Sequence, residues 1–128
     1  MNTTQLATDE ATLTRAIRAR RVVVGRYAAS GDTRVRVFYP HLLYRSAAGE
    51  LIVDVFQVDG PSRGGRLPDW RALKVAGLRD LQLLDAVFLP VARVDLVSKR
   101  YRREILAQCV EPRSAVPDED EDWEEDEE

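Results

Sequence analysis

Between residues 34 and 71 the chain gathers the groups best suited to gripping an anion. Arg36 and His41 lie in RVRVFYPHLLY, Arg63 and Arg66 in the loop DGPSRGGRLPD, and Arg71 directly after Trp70. A guanidinium holds phosphate or carboxylate through two parallel hydrogen bonds, which an ammonium cannot do. Of the 19 cationic residues, 17 are Arg and two are Lys. An arginine-rich coding bias accounts for that number but not for where the arginines fall. The chemistry these residues offer is anion binding.

Catalysis is a weaker reading of the same residues. His41 is the only histidine, so acid–base work near neutrality would lean on it. A hydrolase also needs an activated nucleophile, paired carboxylates or a metal. Ser30 falls in a turn signal and Asp54 inside an apolar run, and no motif relates either to His41. His41 therefore reads as a binding or capping group, and the chain is expected not to be an enzyme. The run Gly60-Pro61-Ser62-Arg63-Gly64-Gly65-Arg66 can present backbone amides to a phosphate. It lacks the Lys-Ser/Thr ending and strand-to-helix setting of a nucleotide-hydrolysing loop, and a plain connector is the alternative. One cysteine, Cys109, excludes an intrachain disulfide, and no cluster has metal-ligand spacing. No cofactor is expected.

These groups need a scaffold, and 128 residues suit one small domain. The formal net charge is −3, yet ten of the eleven residues from Asp118 to Glu128 are acidic, the exception being Trp123. Residues 1–117 then carry 12 carboxylates against 19 cations, a net of +7. A basic domain thus precedes an acidic tail, which suits a polyanionic partner. Three parts are expected: a loose terminus over 1–8, a domain over 9–112, and a disordered acidic tail over 113–128. No secretory signal is evident, and no apolar run approaches the ~18 residues that span a bilayer. The expected address is the cytoplasm, with no membrane contact.

The elements follow from periodicity. A helix is predicted over 9–21, with Asp9 as its cap and Leu13, Ala16, Ile17 and Arg20 on one stripe. VVVGRYA (22–28) is a strand, and Ser30-Gly31-Asp32 turns it back into RVRVFY. Alternation predicts Val35, Val37 and Tyr39 on the inward face, with Arg34, Arg36 and Phe38 opposite. Pro40, lacking a donor, marks a bulge, bend or edge. After the Ala48-Gly49 turn, LIVDVFQV (51–58) reads as a strand buried on both faces, where Asp54 requires a cationic or backbone partner. Segments 70–75 and 78–84 are two short strands or one strand broken at Gly77. Phe88-Leu89-Pro90 then closes the sheet. A second helix is predicted from Ser98, with Tyr101, Ile105, Leu106 and Cys109 as its stripe. The fold class is mainly β (α+β): a small, highly curved antiparallel sheet or SH3/Sm-like barrel of about five strands with flanking helices.

This order of features resembles the WYL domain, a small Sm-like barrel of bacterial proteins, here in stand-alone form. The resemblance covers roughly residues 9–90 and is carried by Tyr27, Ser30-Gly31, Arg36, Pro40, Gly49, the 51–58 strand and Arg71. At the start of the apolar strand, where that family has its Trp-Tyr-Leu tripeptide, this chain has Leu51-Ile52-Val53. The resemblance implies a ligand-sensing module for nucleic acid or nucleotides, with Tyr27, Ser30, Arg36, His41 and Arg71 lining the pocket. Arg63 and Arg66 on the Gly-rich loop extend that set. The plainer alternative pairs Arg36 and Arg71 with Asp54 or surface acids.

Three function classes follow. The first is a non-catalytic regulatory module that binds nucleic acid or a nucleotide and acts on a protein regulator or effector in trans. The second is an Sm-like homo-oligomer serving as an RNA-binding scaffold. The third is a protein–protein adaptor using the basic face and the acidic tail. Ten carboxylates around one tryptophan also imitate a short single strand, so the tail is either a competitor for the basic surface or a solubilising appendage.

Overall fold

The computed structural model describes residues 3–28, 31, 34–62, 66–91 and 102–109. The order is α1 (Thr3–Ala19), β1 (Arg21–Tyr27), β2 (Val35–Ser46), β3 (Leu51–Asp59), β4 (Asp69–Lys74), a 3₁₀ turn (Val75–Gly77), β5 (Leu78–Val87) and β6 (Arg102–Gln108). All pairings are antiparallel, in the order β4-β3-β2-β1-β5, with β6 also on β2. The fold is mainly β with one N-terminal helix. No helix among the described residues is long and apolar enough to cross a membrane.

The long strand β2 organises the sheet. β3 runs along one of its edges, while its other edge is shared: Val35–Phe38 pair with β1 and Leu42–Ser46 with β6. β4 and β5 end the sheet without pairing to each other, so it is an open sheet and not a closed barrel.

The core lies between one sheet face and α1. Leu13, Ala16 and Ile17 are fully buried against Val23, Phe38, Leu43, Val53, Val55 and Leu78. The predicted α1 stripe is present at Leu13, Ala16 and Ile17 but not at Arg20, which is exposed just beyond the helix end. β3 is buried along nearly its whole length, as its apolar run implies. The Ala48-Gly49 turn is also present, with Gly49 at φ 90° and its N–H donating to Ser46 O over 2.8 Å.

Four expectations change. First, α1 begins six residues before Asp9, so residues 3–8 are helical rather than loose. Leu6 extends the stripe two turns back and packs on the core. Even partial burial of a leucine contributes about 1 kcal/mol or more, comparable with a cap, so Asp9 becomes an interior helical residue. Second, the C-terminal helix expected from Ser98 is strand β6 over 102–108. The half of β2 that β1 leaves uncovered offers a row of unpaired backbone groups, and pairing with it outweighs the local helical spacing. Ser98 to Tyr101 lie outside the described residues.

Third, the faces of β2 are the reverse of the expected ones: Arg36 and Phe38 point to the core, 4% and 0% exposed, while Val35 is 45% exposed. Antiparallel pairing fixes the register, placing Phe38 opposite Val23 and Gln57, and the larger Phe38 takes the interior position. Fourth, Phe88-Leu89-Pro90 form no strand; Phe88 N–H donates to Arg20 O over 2.9 Å.

Candidate ligand-binding edge

Arg36 and Arg71 belong to strands on either side of β3, and both are tied to the chain that leaves it. Arg36 Nη1 donates to Gln57 Oε1 over 3.0 Å. The Gln57 amide in turn donates to Asp59 O over 3.2 Å and to Pro61 O over 2.8 Å. Arg71 Nη2 donates to Ser62 Oγ, and its Nη1 lies 3.2 Å from Asp69 Oδ2. The start of the β3–β4 loop is thereby gripped from below by one arginine, through Gln57, and from the side by the other.

Gly60 makes this approach sterically feasible. Its φ is 106°, in the region that disfavours L side chains, and a Cβ there would lie 2.6 Å from Val35 O and 2.7 Å from Arg36 Cα. Only a residue without a side chain lets the loop lie so close over β2. Beneath it, the Arg36 guanidinium carbon stands 5.3 Å from the centre of the Tyr27 ring, a cation–π contact. Tyr27 Oη accepts the Lys74 N–H over 3.0 Å, linking β1 to the end of β4.

The sequence-derived residues thus separate into three groups. Arg36, through Gln57, and Arg71 hold the start of the loop, Tyr27 lies against the Arg36 guanidinium, and Arg66 is exposed farther along the loop. Arg36 is buried, so it acts on the loop from within, whereas the Arg71 side chain is 18% exposed at the surface. Ser30 and Arg63 lie outside the described residues. His41 stands on the opposite face. Gln57 and Ser62 are the members that residue type alone does not reveal; a glutamine in a run 51–58 that is apolar apart from it and Asp54 is the available signal.

His41 owes its position to Pro40. Pro40 pairs with Val55 and Leu42 with Asp54, so His41 is the extra residue of a β-bulge. Of the bulge, bend or edge expected at Pro40, the strand has the bulge, and it turns His41 into an aromatic cluster. The imidazole lies edge-on to Trp70 at 4.8 Å and tilted against Phe88 at 5.1 Å. Tyr39 stacks on Phe88 at 4.8 Å, and Phe56 meets Trp70 at 5.2 Å. Both ring nitrogens are engaged by backbone. Nε2 accepts the Val91 N–H over 2.9 Å, which leaves the proton on Nδ1 to donate to Tyr39 O over 2.8 Å. At 2% exposure this is a histidine fixing the 88–91 segment to the sheet.

Asp54 Oδ1 accepts from the Tyr44 hydroxyl over 3.4 Å. The plainer alternative for the arginines holds in part, because Arg71 pairs with the surface acid Asp69. No family model, no curated protein and no solved structure matches this chain.

Proposed function

We propose that the chain is a non-catalytic binding module whose β3–β4 loop edge takes a phosphate-bearing ligand, a nucleic-acid strand or a nucleotide, as a stand-alone relative of the WYL domain would. The observation that carries this reading is the convergence of Arg36 and Arg71 on one glycine-bearing loop. The two arginines have different roles. Arg36 sets the loop's height over β2, whereas Arg71 and the exposed Arg66 present their guanidinium groups to a ligand. Backbone amides of the glycine-rich loop add neutral donors of the kind that cradle phosphate. A net of +7 on residues 1–117 draws polyanions to the domain before any specific contact forms.

In this reading binding itself is the output, passed to a partner protein. The test is titration of a labelled single-stranded oligonucleotide and of a nucleoside triphosphate at several salt concentrations. Nucleic-acid binding is expected to weaken steeply with salt, by about 0.7 to 0.9 log units per log unit of salt for each phosphate engaged. Absence of binding to either probe at low salt overturns the proposal and leaves the protein-adaptor reading.

A specific observation supports a second reading, a homo-oligomeric scaffold. The sheet is open at β4 and β5, and Val87 at the end of β5 and Leu89 just beyond it are 69% and 86% exposed. Edge-to-edge pairing of copies would cover those strands. Mass measurement in solution separates it from the first, since a monomer that binds an oligonucleotide excludes the assembly.

A further inference from the structure

One face of α1 is unpartnered by the sheet. Opposite the buried stripe of Leu13, Ala16 and Ile17, the residues Ala7, Ala11, Thr14, Arg15 and Arg18 form a shallow, open groove along the helix's own surface. Its floor is made of small side chains and its C-terminal end is cationic. Arg15 and Arg18 are exposed, one helical turn apart, and their side chains form no hydrogen bond or ion pair among the described residues. Glu10 is the one acid lining it.

We infer that this groove is the docking site of the chain's own acidic segment, Asp118–Glu128, with the Trp123 ring on the small-residue floor and neighbouring carboxylates on Arg15 and Arg18. Three observations select this occupant. The first is charge: ten carboxylates surround a single aromatic residue in the segment, and the groove pairs a floor of alanines with two exposed guanidinium groups. The second is origin. β6 runs under α1, and Cys109 at its end packs on the cluster that holds Leu13 and Ile17. Burial pushes the Cys109 thiol up to about 11, and Arg20 at the end of α1 partly offsets this. The chain therefore leaves the sheet beside the cationic end of the helix.

The third is reach. Trp123 lies 14 residues beyond Cys109, a contour of roughly 46–50 Å at full extension. α1, with 17 residues, is only about 26 Å long. The tether spans the groove with slack to spare. The negative end of the helix dipole opposes an arriving carboxylate, but it amounts to about half a charge, against the full charges of Arg15, Arg18 and Arg20. Single exposed ion pairs are weak. Docking therefore depends on several acting together, with a short tether supplying an effective concentration on the order of millimolar. The inference does not depend on whether the Arg66–Arg71 edge binds an anion.

The test uses the full chain with 5-fluorotryptophan at both tryptophans, Trp123 being assigned by Trp123→Phe. At about 0.01 M salt, where the screening length is roughly 30 Å, the Trp123 fluorine resonance is expected to stand away from that of a free peptide of residues 113–128. At about 1 M salt, where the length falls to roughly 3 Å, it should coincide with the peptide. Arg15→Glu/Arg18→Glu should produce the same coincidence at low salt while leaving the Trp70 resonance and the melting temperature in place. A Trp123 resonance at the peptide position in low salt overturns the inference. So does a displaced resonance that ignores Arg15→Glu/Arg18→Glu but responds to Arg66→Ala, which would put the tail on the loop edge. A displacement that disappears on dilution would assign the groove to another copy's tail and equally overturn it.

Discussion

The two faces of the β2–β3–β4 sheet carry buried polar side chains with opposite consequences. On the core face, Arg36 and Gln57 are buried, and they reach outward to hold a loop. On the other face, His41 is equally buried, and its ring nitrogens close on backbone groups within 3 Å. The first arrangement transmits a position to the surface, whereas the second ends where it begins. The boundary between them is the bulge at Pro40-His41, which shifts the pairing register of β2 against β3. A buried polar residue thus indicates a functional edge only when its hydrogen bonds lead toward solvent.

The largest effect should come from breaking the closed side. His41→Ala removes two hydrogen bonds to backbone and leaves a void among Trp70, Phe88 and Tyr39. It is expected to lower stability by about 3 kcal/mol, measured by urea denaturation. Oligonucleotide affinity should be unchanged wherever the variant remains folded; weakened binding in a folded variant would join the two faces into one site. Gly60→Ala comes next, at about 2 kcal/mol for forcing a Cβ into a positive-φ position against β2. This substitution should also weaken binding, because the loop has to rise off Arg36.

Arg66→Ala with Arg71→Ala tests the open side directly. About 1 kcal/mol of binding per lost contact gives roughly 2 kcal/mol for the pair, and the salt slope should fall by about 1 for each phosphate contact removed. Stability should fall by no more than about 2 kcal/mol, since the Arg71–Asp69 pair contributes at most about 1 kcal/mol and the hydrogen bond to Ser62 about as much. Loss of stability with unchanged affinity would reduce Arg71 to a loop staple.

Much of this fold could be read from residue order, and the failures have definable causes. The apolar part of the α1 stripe, the doubly buried β3, the turn at Gly49 and the bulge at Pro40 each rest on local chemistry, and all four are present. The facing of β2 was misread because Val35, Val37 and Tyr39 outnumber the apolar residues on the other face. Pairing with β1 and β3 decided the matter in favour of Phe38 alone. The grouping of Arg36 with His41 rests on the family resemblance alone; alternation already sets an even and an odd position of one strand on opposite faces, and the bulge leaves His41 on the face away from Arg36. β6 was illegible for a different reason: its partner, the uncovered half of β2, lies some sixty residues earlier in the chain.

The smallest effect concerns Asp9, a third kind of buried polar residue, beneath α1. It is 3% exposed; Oδ1 accepts from Gln5 Nε2 over 3.0 Å, while Oδ2 is buried with no hydrogen-bond partner among the described residues. Burial raises its pKa above the ordinary 3.8, the Gln5 hydrogen bond and the nearby Arg79 offsetting this only in part. Below 3.8 the carboxyl is protonated both folded and unfolded, and its contribution to stability is intact. As pH rises, the unfolded chain releases the proton first, so stability falls until the folded carboxyl also ionises, and the deficit persists above that point. Asp9→Asn keeps the shape and removes the charge. It should therefore be more stable than the parent at neutral pH, by about 1 kcal/mol, and the advantage should close as pH falls toward 3.8. Paired urea melts at the two pH values isolate this residue, because every other titrating group is common to both chains. A variant less stable than the parent at neutral pH would mean that the Asp9 carboxylate has a partner worth more than its burial costs, placing it with His41 among the satisfied groups.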